Sequence, residues 1–406
     1  MVNPWDEWAP GVLNIRQMKQ LMEAGFITYS GRKPKIGHSS MDLSLADEAF
    51  EMLKGSVKPS VSQYDWFITK STKLAKKHAP LSDGSYKLTH QRTYVFRLEQ
   101  KLGAGLRKAG MIYGQATAKS SVGRVDVLAR LIVDGMRTYE CFDPEGLANG
   151  NGDMYLEITP ITFDVRVKPG TSLSQLRLFY GKPEDVVIAG DELFKTIFRR
   201  ADHLNESLTV NLSSATIGDR KGTPCDGVAF RSKTTDRTLA PVPLWKRKQK
   251  PNPCDYWDVE VADEFHRLYI EPDTFYILRS KEKLHVPRGV AIYCRASDET
   301  MGEMRIHYAG FVHPYFGLFR EDGAQGTPLI FEVRGHQVPV SLADEEKMAN
   351  LIFYRMSEDA LPLTKKQKAD EAKGYGSQDL KLSNFFGDFP THLKRGGRGD
   401  VEAKEI

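Results

Sequence analysis

The sequence lacks long apolar segments and any concentration of charge. No run of about 18 apolar residues occurs, and no basic N-terminal region precedes an apolar core, as a membrane span or secretion signal would require. Lys and Arg exceed Asp and Glu by only 57 − 53 = 4, unlike the clustered positive charge of nucleic-acid-binding proteins. We therefore expect a cytoplasmic protein without membrane or nucleic-acid partners.

Residue patterns of common metal and nucleotide sites are also missing. The four cysteines form no Cys-x-x-Cys pair, and the ten histidines include no His-x-x-x-His pair; both spacings typify zinc sites. Neither Gly-x-Gly-x-x-Gly nor a Walker loop is present, which argues against a dinucleotide-binding or P-loop fold. The sequence thus predicts no metal ligands and no cofactor bound by the protein.

A segment of the chain occurs twice. Glu157 aligns with Glu332 and Gln175 with Asn350 at one offset, 332 − 157 = 175, without a gap. Each copy has a carboxylate on an alternating apolar run, a second short alternating run, a turn, and an amide residue before an apolar triplet. Such self-similarity indicates duplication of a β-rich unit. We divide the chain into a first half, a second half and a tail with a disordered end: residues 1–200, 201–360 and 361–406.

The local pattern predicts a mainly β protein with a few short helices. Apolar residues at helical spacing predict a helix over residues 12–24 and an amphipathic helix over 185–203. The predicted strands are short alternating runs bounded by Gly, Pro and Asp: 94–98, 127–133, 155–158, 163–167, 275–278, 290–294, 305–309 and 329–333. In the polar tail, three phenylalanines predict that residues 373–389 dock on a folded surface.

One loop has the composition of an anion-binding cradle. Residues 118–124 combine two serines and a glycine with Lys119 and Arg124. Arginine offers a planar fork of donors to phosphate oxygens, and hydroxyl and backbone N–H groups add short hydrogen bonds. Taken alone, the same composition is common in ordinary loops, so the residues around it decide its meaning.

The order of motifs resembles the dCTP deaminase and dUTPase superfamily, and most closely its two-domain, tandem bacterial dCTP deaminase form. The matching segments of the first half are Gly25-Phe26-Ile27, Ser39 to Leu45, Lys119 to Arg124, Tyr155-Leu156-Glu157, and Pro169-Gly170 with Ser174-Gln175-Leu176. Those of the second half and tail are 275–289, His307 to Pro314, Glu332 and 373–383.

The resemblance implies two tandem dUTPase-like distorted β-barrel or jelly-roll domains that assemble as a homotrimer. It implies zinc-independent deamination of dCTP to dUTP and ammonia, with Mg²⁺ delivered by the triphosphate. The implied catalytic residues are Ser120, Arg124 and a glutamate, Glu157 or Glu332. The implied substrate-binding residues are Lys119, Ser120, Ser121, Val122, Gly123, Arg124, Asp143, Tyr155, Leu156, His307, Ala309, Gly310, His313, Tyr375, Gln378 and Lys381.

The zinc-free branch is favoured because the zinc deaminase signature, which ends in Pro-Cys-x-x-Cys, is absent. Without a metal to acidify water, a carboxylate has to carry the proton transfers, and burial on a strand would raise its pKa toward neutrality.

Each half departs from the family pattern in a different place. In the second half, Ala296 and Thr300 replace the first serine and the arginine of the cradle, and His313 and Tyr315 replace a sugar-binding aspartate and a glycine. The first half lacks a clean base-binding hairpin. These losses predict one composite site, with the cradle from the first half and the base-binding hairpin, residues 307–313, from the second.

The sequence leaves several alternatives open. The general acid/base is Glu157 or Glu332, with the balance slightly toward Glu157. For either glutamate the alternative is a structural role, paired with an arginine inside the barrel. The activity alternatives are a dUTP pyrophosphatase, a bifunctional deaminase-pyrophosphatase and a nucleotide sensor without turnover.

Overall fold

A computed structural model describes most of the chain. The described residues are 4–59, 64–200, 203, 205–213, 227–233, 239–296, 304–306, 310–320, 326–373 and 379–389. None of the helices in these ranges is both long and apolar enough to span a membrane.

The helices are short and lie mostly between strands. The α-helices are α1 (Ile15–Glu23), α2 (Tyr64–Lys70), α3 (Ala104–Ala109), α4 (Ser120–Gly123), α5 (Pro144–Asn149), α6 (Asp191–Phe198) and α7 (Lys365–Lys373), and Pro183–Val186 and Pro253–Asp255 form 3₁₀ turns. The predicted first helix begins at Ile15 because Asn14 caps it, accepting hydrogen bonds from two backbone N–H groups. The predicted helix 185–203 is shorter because a 3₁₀ turn, a strand and Gly190, at φ 132°, precede α6.

Strands are the main regular structure of the fold. Those of the first half are β1 (Gly11–Val12), β2 (Ile27–Tyr29), β3 (Met41–Met52), β4 (Ala75–Lys77), β5 (Tyr86–Leu88), β6 (Thr93–Leu102), β7 (Ile112–Ala118), β8 (Val127–Val133), β9 (Cys141–Phe142), β10 (Asp153–Pro160), β11 (Val165–Val167), β12 (Ser172–Tyr180) and β13 (Val187–Ile188). Those of the second half are β14 (Ser207–Thr209), β15 (Ala229–Ser232), β16 (Val242–Pro243), β17 (Trp257–Glu260), β18 (Arg267–Ile270), β19 (Phe275–Leu284), β20 (Val290–Ala296), β21 (Met304–Ile306), β22 (Gly310–Val312), β23 (Thr327–Gly335), β24 (Val340–Ala343) and β25 (Lys347–Arg355).

The two halves repeat one arrangement of strands. In the first half, a large sheet has the order β8-β10-β6-β3-β12-β7-β9. The sheets of the second half have the main paths β13-β25-β20-β22, in which β13 comes from the first half, and β17-β15-β19-β23-β21, and β18 and β24 form a separate pair. The pairs β10·β6 and β12·β7 recur as β23·β19 and β25·β20. Glu157 lies opposite Val95 in the first half, and Glu332 lies opposite Ile277 in the second.

The same offset appears in the strand positions, because β12 and β25 begin 347 − 172 = 175 residues apart. The two repeated glutamates therefore hold equivalent positions in equivalent strand pairs. The structure confirms the predicted mainly β fold built from a tandem repeat.

The halves share one of their hydrophobic cores. Strand β16 of the second half pairs in parallel with β11 of the first half, and Trp257 packs against Phe163 with ring centroids 5.6 Å apart. The tail enters the same core through Leu380, Leu382 and Phe386. Burying each of these side chains contributes roughly 1.5–3 kcal/mol. For described residues 379–389, the predicted docking of the tail on a folded surface is confirmed.

Candidate active site

The predicted cradle forms a tight turn between two strands. Strand β7 ends at Ala118, Lys119 occupies the N-cap position of the short helix α4, and the Lys119 backbone N–H donates to the Leu173 carbonyl at 2.9 Å. Val122 and Gly123 are buried, so they anchor the turn. Arg124 ends the helix and is only 2% exposed. This geometry holds the Arg124 guanidinium inside the protein.

Glu332 comes from the second half and lies beside Arg124. It lies within β23, is 4% exposed, and its Oε1 is 3.9 Å from Arg124 Nε. Burial raises the pKa of Glu332 to about 8, with Arg124 partly opposing this rise and the nearby Asp126 carboxylate adding to it. A carboxyl with such a pKa exchanges a proton near neutral pH.

A second contact between the halves lies beside the Arg124–Glu332 pair and also involves β23. Arg334 lies two residues after Glu332, on the same face of the strand, and its guanidinium binds the Asp126 carboxylate and the Thr162 hydroxyl. Thr162 also donates to Asp126 Oδ2 at 2.5 Å. Asp126 is fully buried and has a left-handed backbone, at φ 57°. Two arginine–carboxylate contacts, side by side, thus join the halves at this point.

The tail covers the cradle through backbone and side-chain hydrogen bonds. Arg124 Nη1 donates to the Lys381 carbonyl at 3.1 Å, and Ser383 Oγ donates to the Ser121 carbonyl at 2.6 Å. The tail therefore meets the cradle at both its serine and its arginine side. Lys381, predicted to bind substrate, lies at this contact.

Cys294 is a neighbour of Glu332 that sequence analysis did not single out. Its pKa is raised to about 12 by burial and by the charge of Glu332. The thiol is thus neutral at physiological pH. Cys294 pairs with Gly310 across β20 and β22, so the predicted substrate-binding residue Gly310 lies on the strand next to Cys294.

Glu157 has a different environment from Glu332. It is 1% exposed and accepts hydrogen bonds from Arg130 Nε, at 3.2 Å, and from the Tyr139 hydroxyl, also at 3.2 Å. The Arg130 guanidinium lies 4.2 Å from the Tyr139 ring centroid. All these partners belong to the first half. A buried carboxylate with a close guanidinium partner and a hydroxyl donor is typical of a structural ion pair.

Four predicted substrate-binding residues have local contacts in the first half. Asp143 caps α5, accepting from the Gly146 N–H at 2.6 Å. The Tyr155 ring lies under the Arg97 guanidinium, 5.0 Å away, and Leu156 is buried in the core. Lys119 forms an ion pair with Asp42 at 2.7 Å.

The remaining predicted residues divide into two groups. His307, Ala309, Tyr375 and Gln378 lie outside the described residues. His313 contacts the Pro314 carbonyl through Nδ1, at 2.7 Å, and its Nε2 lies 3.7 Å from Glu371 of α7. The structure therefore brings Ser120, Ser121, Arg124, Glu332 and Lys381 to one place, and directs His313 toward α7.

Fold and site together define a duplicated β-barrel protein with one buried carboxylate–arginine pair built from both halves. Two family models match the chain: the 2'-deoxycytidine 5'-triphosphate deaminase N-terminal domain over residues 9–182 and its C-terminal domain over residues 202–386. The chain belongs to the 2'-deoxycytidine 5'-triphosphate deaminase family, with both domains in tandem. This confirms the family that the motifs resembled.

A solved structure agrees with the family models. The crystal structure of 2'-deoxycytidine 5'-triphosphate deaminase from Agrobacterium tumefaciens superposes with a TM-score of 0.71 at 25% sequence identity. The match covers 87% of this chain and all of the Agrobacterium chain. A search of curated proteins found no match.

Proposed function

We propose that the protein converts dCTP and water to dUTP and ammonia, with Glu332 as the general acid/base. The observation that carries this proposal is the pairing of buried Glu332 with Arg124 of the cradle. A carboxyl whose pKa is about 8 is ionised often enough to accept a proton and acidic enough to return it. We assign the structural role to Glu157, because Arg130 and Tyr139 already bind it.

In the proposed reaction, ionised Glu332 takes a proton from water as the water oxygen bonds to C4 of cytosine. The protonated carboxyl then returns that proton to the exocyclic nitrogen, and the C4–N bond breaks to release ammonia. The proton left on the C4 hydroxyl moves to N3, which gives the keto form of uracil. Arg124 and Ser120 position the water and stabilise the negative charge that develops. Arg124 is also held by the Lys381 carbonyl, so the tail helps to aim the guanidinium.

We propose that these proton transfers need no zinc. The described groups that act electrostatically on Glu332 are the Arg124 guanidinium and the Asp126 carboxylate, and the thiol of Cys294 is neutral. This set suits a carboxyl that shuttles a proton, since zinc deaminases use a His/Cys set instead. Mg²⁺ arrives with the triphosphate, bound mainly by phosphate oxygens and water.

The triphosphate contacts in this proposal come from the first half and the tail. Within the cradle, the phosphates contact the side chains of Lys119, Ser120 and Ser121 and the backbone of Val122 and Gly123. His313 is left out of the contact set, because Nδ1 meets the Pro314 carbonyl and Nε2 faces Glu371. We also propose a homotrimer, in which six β units form a pseudo-hexamer.

One assay tests the reaction class. The protein is incubated with dCTP or with dUTP, each with Mg²⁺, and ammonia and pyrophosphate are measured separately. We expect ammonia from dCTP and no pyrophosphate from either nucleotide. Pyrophosphate released from dUTP would favour the pyrophosphatase. Release of both ammonia and pyrophosphate from dCTP would favour the bifunctional enzyme. Saturable nucleotide binding without either product would favour the sensor. Light scattering of the purified protein tests the trimer.

A further inference from the structure

Three segments that are far apart in the sequence bring metal-binding side chains together. His38 follows β2 in the first half, His313 follows β22 in the second half, and Glu371 lies on α7. One ligand atom from each lies within 4.8 Å of the other two. The cluster is therefore a junction of both halves with the start of the tail.

The separations suit a small dication. His38 Nε2 is 3.1 Å from Glu371 Oε1, and His313 Nε2 is 3.7 Å from Glu371 Oε2. Two ligands at zinc bond lengths in a tetrahedron lie roughly 3.3 Å apart. The two measured separations lie on either side of that value, so small side-chain adjustments would allow one ion to meet all three groups.

The orientation of one ligand also fits. His313 Nδ1 contacts the Pro314 carbonyl at 2.7 Å, which selects the tautomer whose Nε2 carries the lone pair. The Nε2 lone pair of a neutral imidazole is the form that binds metal.

The backbone around the cluster is fixed on two sides. A hydrogen bond from the Gly37 N–H to the Ser40 carbonyl, at 2.8 Å, closes the turn that carries His38. Tyr315 packs its ring edge-on against His38, with centroids 5.4 Å apart, and its hydroxyl donates to the carbonyls of Ala360 and Leu361. The two residues that did not fit the family pattern, His313 and Tyr315, thus both face the start of the tail.

We propose that His38, His313 and Glu371 bind one Zn²⁺ ion per chain, with water as a fourth ligand. Two imidazoles and a carboxylate form a donor set that zinc accepts readily. The ion holds α7 against both halves and so fixes the origin of the segment that reaches the cradle. This role is structural and separate from the proton transfers at Glu332.

Zinc content and affinity test the site directly. Tag-free protein is stripped with chelator, reloaded with ZnCl₂, desalted and analysed for metal, and affinity is measured by competition with a zinc-sensitive dye. The expected result is one zinc per wild-type chain. His38→Ala and Glu371→Gln should each weaken binding by more than an order of magnitude, and the isosteric Glu371→Gln keeps the test valid if His38→Ala folds poorly.

A matched control is available in the first half. His90 Nδ1 contacts Asp164 Oδ1 at 2.7 Å, so His90→Ala removes a similar half-buried histidine–carboxylate contact elsewhere. This variant should bind zinc as the wild type does. The proposal is overturned if the wild type binds no stoichiometric zinc, if His38→Ala and Glu371→Gln bind it normally, or if His90→Ala loses it equally.

Limited proteolysis tests the structural role. Helix α7 carries four lysines, Lys365, Lys366, Lys368 and Lys373. Zinc should slow tryptic cleavage at these lysines in the wild type and in His90→Ala, and should not do so in Glu371→Gln. Zinc-independent cleavage of wild-type α7 would contradict the proposal. Neither measurement depends on deamination, so its outcome is separate from that of the proposed reaction.

Discussion

Replacing Glu332 by glutamine should change how stability depends on pH. Burial raises the pKa of Glu332 from 4.5 to about 8 in the folded protein. Between these values the folded state keeps a proton that the unfolded state releases, so ionisation favours unfolding as pH rises. The stability due to the neutral carboxyl is complete below about pH 4.5 and is lost as pH rises through about 8.

The magnitude follows from the size of the shift. Inside this window, each pH unit lowers the free energy of unfolding of the wild type by about 1.36 kcal/mol. Between about pH 5.5 and about pH 8, the wild type should therefore lose about 3 kcal/mol of stability relative to Glu332→Gln. Glutamine has the shape of the neutral acid and does not titrate. Denaturant unfolding of both proteins across this range measures the difference directly.

The equivalent change in the first half is the control. Glu157→Gln leaves Arg130 and the Tyr139 hydroxyl without their carboxylate, and should lower the free energy of unfolding by about 1–3 kcal/mol at neutral pH. Near pH 8, Glu332→Gln should therefore raise the free energy of unfolding and Glu157→Gln should lower it. If the free energy of unfolding changes with pH in the same way for wild type and Glu332→Gln, burial does not raise the pKa of Glu332.

Wild-type kcat/KM for dCTP should rise with pH and level off above about pH 8, because only ionised Glu332 accepts a proton from water; a flat pH–rate profile would contradict this. Arg124→Ala should lower kcat/KM by about 10²–10³, and Thr300→Ala should leave it near the wild-type value. Equal losses from both changes would disprove the composite site. Phe386→Ala should cost about 3–5 kcal/mol of stability, because its ring packs 5.2 Å from Tyr256, and an unchanged Tm would show that this contact is not stabilising.

The repeat and the strand pattern could be read from the sequence because alternation and self-similarity are local signals. Residues 127–133 match β8 at both ends, and the offset between Glu157 and Glu332 reappears in the positions of β12 and β25. Helix ends were less certain, since the cap at Asn14 and the break at Gly190 depend on single residues.

The choice between the two glutamates could not be made from the sequence. Both follow similar runs and hold equivalent registers, so they differ only in their neighbours from other segments. Arg130 and Tyr139 meet Glu157, whereas Arg124 arrives at Glu332 from the other half. Contacts between segments that are far apart in the chain leave no periodic pattern in the sequence.

The contacts that join the segments were also beyond sequence analysis. Asp126 and Arg334 are 208 positions apart, and His38 and Glu371 are 333 apart. Spacing rules for ion pairs and metal sites operate over a few residues. Only the folded arrangement brings these groups within bonding distance.

The central claim is that Glu332, beside Arg124, carries the proton transfers. It is tested most directly by measuring ammonia release from dCTP by Glu332→Gln and Glu157→Gln, with each rate expressed per folded molecule. We predict that Glu332→Gln loses at least about 10³-fold in rate while still binding dCTP, and that Glu157→Gln continues to release ammonia. Ammonia release by Glu332→Gln at the wild-type rate, or its loss in folded Glu157→Gln alone, would contradict the claim.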